Sequence, residues 1–218
     1  MNSPAEDYHM HSLTYSDGLH TIDEIVQMAP KFWLKKIAIT DHSQAVLEAQ
    51  GLALKCWRST LKHWKNYYNE VEVIFGVEGD LLDEEGNCCF EIHRQESDFR
   101  ILSLHSATYQ GDLKRVTQSY LNAISKYHEQ IDLIGHPFYT KTCEFLEVES
   151  FVDCLNQYGI PLEIDTAYLR KERTDLNKLK YALEHLETGV YVNSDMHTFG
   201  DWEQRTAGFE LLEKRGFL

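Results

Sequence analysis

The 218-residue sequence lacks several features that mark common protein classes. No apolar run approaches the ~20 residues needed to cross a bilayer, so we expect no membrane partner. The N-terminus carries Glu6 and Asp7 early and has no basic segment followed by an apolar core, so no secretion signal is visible. The five cysteines include no Cys-x-x-Cys pair. A disulfide framework or structural zinc knot is therefore not expected, and reduced thiols in a cytoplasmic protein are the default.

An excess of positive charge is also missing, because the formal net charge is −14. This balance argues against nonspecific binding to nucleic acid or to anionic membranes. The chain has no Gly-x-Gly-x-x-Gly and no Walker A sequence, so a nucleotide-cradling sheet has little support. It also has no internal repeat, low-complexity tract or linker. Its length fits one domain, and we predict a single domain over residues 1–218.

What the sequence contains is an alternation of short apolar strands with helices. Seven such strands lie near residues 7, 38, 74, 102, 133, 163 and 191. This order predicts a parallel sheet with helices outside, and seven units in one domain favour a closed barrel. We also predict a capping box from Thr21 to Glu24, a hairpin over residues 81–92 and a long amphipathic helix over residues 47–68.

Histidines and carboxylates follow these strands where they end. The pair His9 and His11 can point both rings the same way on an extended backbone. Six of the seven strands end in this manner, and the candidate ligands are His9, His11, Asp17, His42, Glu78, His105, His136, Asp195 and His197. Since the carboxyl ends of barrel strands share one mouth, we predict a shared metal site.

The ligand types narrow the identity of the metal. Many imidazoles, a few carboxylates and no cysteine suit Zn, Mn or Fe. At three protein ligands for each open catalytic site, these candidates predict two to three divalent ions. Glu78 has two oxygens and is central in the strand order, so it is the natural bridging ligand.

These motifs resemble the polymerase and histidinol phosphatase (PHP) superfamily. The resemblance is carried, in order, by His9-x-His11, Ser16-Asp17-Gly18, Ile39-Thr40-Asp41-His42, Gly76-Val77-Glu78, His105, Gly135-His136-Pro137 and Ser194-Asp195-x-His197. It runs from residue 7 to the C-terminus. It implies an α/β fold of the distorted (β/α)7, TIM-like barrel type, a trinuclear metal site and phosphoesterase activity.

The resemblance also implies an assignment of the ligands to three ions. The first ion would be held by His9, His11, Glu78 and Asp195, the second by Glu78, His105 and His136, and the third by Asp17, His42 and His197. The position of Asp17 varies in type within the family. Asp41 would orient a ligand histidine through its other ring nitrogen.

A later stretch, residues 163–171, resembles a segment of histidinol-phosphatase-like members, with Asp165 replacing asparagine. There Arg170 would clamp phosphate oxygens in a bidentate fork. Lys141, just after the Gly135-His136-Pro137 motif, is a second candidate for substrate binding. With Arg170, the residues Asp17 and Glu78 complete the predicted catalytic set.

Three functions remain open at this point. The first is hydrolysis of a small phosphomonoester, histidinol phosphate being the family's best-known substrate, by a hydroxide that bridges two ions at the trinuclear site. The second is a phosphodiesterase or exonuclease, for which nucleic acid would be a substrate only as nucleotides or a short oligonucleotide. The third is a non-catalytic PHP module of a larger assembly. The sequence leaves the exact substrate and the oligomeric state open.

Overall fold

The structure, a computed structural model, describes residues 1–53, 58–95, 97–214 and 216. The strands of this part of the chain are β1 (Glu6–Asp7), β2 (Lys36–Ile39), β3 (Glu72–Phe75), β4 (Val77–Leu81), β5 (Cys88–Cys89), β6 (Arg100–Ser103), β7 (Leu133–Ile134), β8 (Leu162–Asp165) and β9 (Val190–Asn193). They form a three-stranded sheet, β1-β2-β3, and a six-stranded sheet, β5-β4-β6-β7-β8-β9. All pairs are parallel except β4 with β5.

Two contacts join the sheets into a barrel. The strands β3 and β4 are one extended segment interrupted at Gly76, where β3 pairs with β2 and β4 pairs with β6. A parallel bridge between His42 and Glu78 continues this junction. On the opposite side, Met10 after β1 bridges in parallel to Met196 after β9. The predicted distorted (β/α)7 barrel is therefore confirmed, with β3 and β4 as one of its seven strand positions.

The helices surround this sheet and begin where the sequence places capping residues. They are α1 (Ile22–Met28), α2 (Gln44–Ala49), α3 (Val116–Tyr127), α4 (Val148–Tyr158), α5 (Thr166–Arg170), α6 (Leu176–His185) and α7 (Phe199–Lys214). The capping box of Thr21 and Glu24 at α1 is confirmed. Asp175 caps α6 by accepting from two backbone amides. The hairpin is also confirmed, because Leu81 pairs with Cys88 across Gly86 at φ 77°.

The predicted long helix over residues 47–68 is wrong. The helix α2 ends at Ala49, and Gly51 adopts a left-handed φ of 75°, which terminates helices and which glycine tolerates without strain. A short 3₁₀ helix, Arg58–His63, follows. Leu54 and Trp57 of the predicted helical stripe lie outside the described residues, whereas Leu61 and Trp64 pack against the core as predicted.

Apolar side chains fill the space between the sheets and the helices in two clusters. One cluster joins β6, β7 and β8 to α3, α4 and α6, and includes Phe151 and Leu155 at 0% exposure. The second joins β1 and β2 to α1 and α7, and includes Ile37 and Trp202. These clusters fix the strands so that their carboxyl ends meet at one mouth. Within the described ranges, no helix is long and apolar enough to cross a membrane.

Candidate metal centre

Glu78 lies at the centre of the barrel mouth with 1% of its surface exposed. Its Oε1 lies 2.8 Å from Nε2 of His136 and 3.2 Å from Nε2 of His105. The Nε2 atom of His9 approaches the same oxygen at 3.5 Å. Ligand candidates from β1, β4, β6 and β7 therefore meet at one carboxylate oxygen, as the parallel arrangement of their strands requires.

The second oxygen of Glu78 faces other candidates. Its Oε2 lies 2.9 Å from Nδ1 of His42 and 3.5 Å from Nε2 of His11. Asp195 completes this side, because its Oδ1 lies 3.1 Å from Nε2 of His11 and 3.6 Å from Nε2 of His9. The two oxygens of Glu78 thus separate the histidines into two sets, which is the arrangement that a bridging carboxylate requires.

Asp17 lies on the outer side of the mouth, and its side chain is 30% exposed. Its Oδ1 is 3.5 Å from Nε2 of His42 and 3.4 Å from Nε2 of His197. The backbone amide of Leu19 donates to the carbonyl of His197 at 2.9 Å, which ties the turn that carries Asp17 to the loop after β9. All nine sequence-predicted ligand candidates therefore come together at the mouth.

Donor atoms of these residues form three overlapping groups in which all atoms lie within 4.8 Å of one another. The groups are His11, Asp17, His42 and His197; His9, His11 and Glu78; and His42, Glu78 and His105. His136 and Asp195 lie beside them, in contact with Glu78 and His11. Imidazole and carboxylate donors at these distances could hold metal ions.

Several buried donor atoms of the ligand candidates make no hydrogen bond within the described residues. They are Nε2 of His9, Nδ1 of His11, Nδ1 of His42 and Oε2 of Glu78. Buried polar atoms are rarely left without a partner, since each costs about 1–3 kcal/mol. His42 Nδ1 and Glu78 Oε2 are close but not aligned for a hydrogen bond. The residues present therefore fit a set of bound cations.

The backbone at two of these positions is unusual. His136 has a φ of 25° and Asp195 a φ of 49°, both in the left-handed region that residues with a Cβ rarely occupy. A Cβ on the preceding Gly135 would collide with Oγ of Ser103 and lie 2.7 Å from Cγ2 of Ile101. Such strain clusters at functional sites, where it directs side chains that regular strand geometry would point elsewhere.

Charge pairing changes the titration of the outer histidines. Burial by itself lowers the pKa of His42, but Asp17 and Glu78 outweigh it and raise that pKa to about 9. Burial likewise opposes protonation of His197, but Asp195 and Asp17 raise its pKa to about 10. Both rings are therefore protonated near neutral pH in the metal-free protein.

The pKa values of His11 and Glu78 shift in the opposite direction. Burial and the neighbouring rings of His42 and His197 lower the pKa of His11 to about 3. Burial raises the pKa of Glu78, but His105 and the other adjacent histidines hold it well below its usual range. A neutral His11 beside an ionised Glu78 is the state in which both residues can donate electron pairs to a cation.

Sequence reasoning missed the residues behind the ligand rings. Nδ1 of His9 donates to Oε1 of Glu163 at 2.9 Å, and Nδ1 of His105 donates to Oδ1 of Asp80 at 2.8 Å. Both carboxylates are buried. A signal existed for Asp80, because it lies two residues after Glu78 on the same strand face.

The role predicted for Asp41 differs from the structure. Its Oδ1 accepts from the backbone amide of Ser12 at 2.6 Å, and its Oδ2 accepts from the Ser12 hydroxyl at 3.0 Å. In the described part of the chain it makes no hydrogen bond with a ligand ring. Asp41 therefore holds the backbone directly after His11 in place through both donors of Ser12.

Asp7 was also missed, and it joins the first and last strands. Its Oδ2 accepts from the Ser194 hydroxyl at 2.5 Å and from Nε1 of Trp202 at 3.0 Å. Its Oδ1 accepts from the backbone amides of Ser194 and His9. This buried carboxylate therefore holds the segment of His9 against the segment of Asp195.

A cavity of about 280 Å³ opens beside the metal centre. Tyr139 and Tyr168 line it and stack with ring centroids 4.5 Å apart and planes at 20°. Gln50 and Ser106 add polar groups to the wall. None of the described residues that line this cavity is lysine or arginine. One wall of the cavity is therefore aromatic, and sequence reasoning did not identify it.

The predicted substrate-binding cations stand apart from this cavity. Arg170 is exposed at the last residue of α5, and Lys141 is exposed in the loop between β7 and α4. Neither residue lines the cavity. Their contact with a phosphate remains a prediction, and it would require these long side chains to reach over the mouth.

Comparisons with known proteins agree with this geometry. The PHP domain family model matches residues 7–167. A probable phosphatase of Thermoanaerobacter sp. (strain X514) is 28% identical over 217 residues, which cover 96% of this chain and 86% of that protein. The DNA polymerase/3′-5′ exonuclease PolX of Bacillus subtilis (strain 168) is 27% identical over 95% of this chain and 37% of its own length.

A solved structure has a similar fold. It is the histidinol phosphate phosphatase of Lactococcus lactis subsp. lactis Il1403, crystallised with zinc, L-histidinol and phosphate. The TM-score is 0.52 at 14% sequence identity, and the match covers 95% of this chain and 93% of that one. At this identity the similarity establishes the fold.

Proposed function

Because this chain belongs to the PHP domain family, we propose that it is a metal-dependent phosphoesterase that hydrolyses a small phosphomonoester. The observation that carries the proposal is the set of three overlapping donor groups around one buried carboxylate, beside an open cavity. Two to three divalent ions of Zn, Mn or Fe would fit these groups.

Ions held there would supply the Lewis acidity that activates water and neutralises phosphoryl oxygens. The chain's own contribution is to hold them close together. Glu78 would bridge, since its two oxygens face different histidines. The remaining assignment follows the family pattern, with His9, His11 and Asp195 on the first ion, His105 and His136 on the second, and Asp17, His42 and His197 on the third.

The cavity supports a small substrate. Its volume of about 280 Å³ lies just below the range typical of pockets for drug-sized molecules. The stacked rings of Tyr139 and Tyr168 would contact the leaving group, while the phosphoryl group faces the donor cluster. Burial, followed by Asp195 and Asp165, raises the pKa of Tyr168, so its hydroxyl stays protonated and can donate a hydrogen bond.

A phosphodiesterase or exonuclease is the second candidate, and the similarity to PolX favours it. A non-catalytic PHP module of a larger assembly is the third, because the match to PolX covers only 37% of that protein. The net charge of −14 and the cavity wall without lysine or arginine in the described residues weigh against binding a long polyanion.

The test is a comparison of four substrates. Protein freed of metal by a chelator and reloaded with Mn²⁺ or Zn²⁺ would be offered p-nitrophenyl phosphate, its bis ester, histidinol phosphate and a short labelled oligonucleotide. We expect turnover of a monoester and none in the chelated control. If none of the four is turned over, the proposed phosphoesterase activity is refuted. If the bis ester or the oligonucleotide is preferred, the proposed preference for a monoester is refuted.

The aromatic wall offers a variant for the same assay. Replacing Tyr168 with leucine removes the ring stacked on Tyr139 while keeping an apolar side chain. If the leaving group contacts this wall, KM for a monoester with an aromatic leaving group should rise about fivefold, as expected for an aromatic contact of about 1 kcal/mol. An unchanged KM would place the leaving group elsewhere.

A further inference from the structure

Two buried carboxylates outside the donor groups each bind more than one segment of the metal centre. Glu163 accepts from Nδ1 of His9 at 2.9 Å through Oε1. Its other oxygen, Oε2, accepts from the backbone amide of His136 at 2.9 Å. Asn193 Nδ2 donates to Oε1 at 2.9 Å and completes the set of donors. One side chain on β8 therefore positions a ring that follows β1 and the backbone of a residue that follows β7.

Asp80 has the same double role on the other side of the barrel. Its Oδ1 accepts from Nδ1 of His105 and from Oγ1 of Thr108, both at 2.8 Å. Its Oδ2 accepts from the Ser43 hydroxyl at 2.6 Å. Ser43 follows His42 directly in the chain and caps α2. Asp80 therefore positions the His105 ring and the backbone segment that carries His42.

The chemistry of these bonds fixes the tautomers of both rings. An ionised carboxylate can only accept, so Nδ1 of His9 and Nδ1 of His105 must carry the proton. When the ring is neutral, as a metal ligand must be, the lone pair stands on Nε2. This atom lies 3.5 Å from Oε1 of Glu78 in His9 and 3.2 Å from it in His105. Each carboxylate thus presents the electron pair that a cation needs at the centre of the site.

We propose that Glu163 and Asp80 are positioning residues that each serve two neighbouring metal positions at once. Glu163 couples the ion bound through His9 to the ion bound through His136. Asp80 couples the ion bound through His105 to the ion bound through His42. The inference rests on the proposed function only in requiring that the donor groups bind ions.

The substitution Glu163→Gln would test this arrangement while keeping the volume of the side chain nearly unchanged. Three N–H donors converge on the carboxylate, from His9, His136 and Asn193. A carboxamide has one oxygen, and its NH₂ group must then face an N–H donor on the other side. In one orientation Glu163→Gln loses the bond from His136, and in the other it loses the bonds from His9 and Asn193. The bond that remains is weaker because a neutral carboxamide replaces the charged acceptor, so both metal positions are affected. Asp80→Asn can keep the bond from His105 while its NH₂ group donates to the Ser43 hydroxyl, so it weakens both contacts through the lost charge.

The experiment is a Co²⁺ titration of the full chain after metal removal, followed by visible absorption and calorimetry. Loss of a partner behind a ligand weakens metal binding about 10–100-fold. We expect Glu163→Gln to lower the affinity for two ions by this factor and to leave the affinity for the ion held by Asp17, His42 and His197 unchanged. We expect Asp80→Asn to lower the affinity for two ions and to leave the affinity at His9 and His11 unchanged. The Co²⁺ that remains bound in the two variants should therefore have different absorption spectra.

Asp165→Asn is the matched control. This residue lies two positions after Glu163 on the same strand and is 4% exposed. Its Oδ1 caps α5 by accepting from the amides of Ala167 and Tyr168, which an asparagine oxygen can also do. It makes the same replacement of a carboxyl group by a carboxamide at a buried position but bonds to no ligand ring. We expect its Co²⁺ affinities and absorption spectrum to match those of the unmodified protein.

Ser43→Ala is the milder variant if Asp80→Asn does not fold. It leaves the Asp80 carboxylate and its bond to His105 intact, and its capping loss costs about 1 kcal/mol. We expect the ion at His42 to bind about tenfold more weakly, with the others unchanged.

Three results would overturn the inference. A folded Glu163→Gln protein in which the affinity falls for only one ion, or for none, would show that this carboxylate does not serve two positions. Unchanged Co²⁺ binding in Ser43→Ala would remove the link from Asp80 to His42. If the unmodified protein binds no Co²⁺, Zn²⁺ or Mn²⁺, the proposed function fails together with this inference.

Discussion

Replacing Glu78 with glutamine would remove one charge from the centre of the metal site and keep the volume of the side chain. The carboxylate is 1% exposed and belongs to two of the three donor groups. Its oxygens lie within 3.5 Å of ring nitrogens of His9, His11, His42, His105 and His136. The group that Glu78 does not belong to, which contains Asp17, keeps all of its donors. We therefore expect the variant to retain no more than one ion.

The magnitude follows from the position of Glu78 in those groups. Loss of a partner behind a ligand lowers metal affinity about 10–100-fold. Glu78 itself supplies donor atoms to two groups, so affinity in each should fall by more than about 100-fold, or about 2.8 kcal/mol. With two ions lost, phosphoester hydrolysis should fall by at least about 10³-fold, since loss of a single stabilising group costs up to that much.

Two measurements check this prediction. Metal content after gel filtration gives the number of retained ions, and phosphate release gives kcat/KM. The control is Glu72→Gln, which removes the same charge from a carboxylate that is 62% exposed and paired with Lys36 at 2.9 Å. The control should keep its metal and activity. If Glu78→Gln bound two or more ions with unchanged affinity, the bridging role would be refuted.

Three further predictions concern the backbone, the pH dependence and the substrate. Gly135→Ala places a Cβ against Ser103 and should destabilise the protein by about 1–3 kcal/mol, and an unchanged Tm in calorimetry would contradict this. Because His42 and His197 have pKa values of about 9 and about 10, their protons compete with ions below those values. Affinity at the outer group should therefore rise with pH, by up to about 100-fold per unit when two protons are released, and titrations at pH 6 and pH 8 that agree would refute it. Arg170→Ala should raise KM about tenfold with kcat unchanged if the guanidinium binds phosphate, and an unchanged KM would exclude Arg170.

The elements that the sequence predicted correctly are those with a local cause. The capping box of Thr21 and Glu24 forms because the two residues satisfy each other's backbone amides within one turn. Short apolar strands between helices lead to a parallel barrel because both sheet faces must be covered. The predicted helix over residues 47–68 failed because its helical spacing of apolar residues was read across Gly51, whose left-handed φ ends α2.

The sequence by itself determined which ligand-type side chains follow the strands, since the order of strands and the residues after them are properties of the chain. It did not determine which atoms of those side chains meet. Only the tertiary structure placed Glu163 and Asp80 behind the rings of His9 and His105, because these contacts join residues 154 and 25 positions apart. The tertiary structure also pairs Asp41 with Ser12 and not with a ligand histidine, since hydrogen-bond partners depend on distance in space.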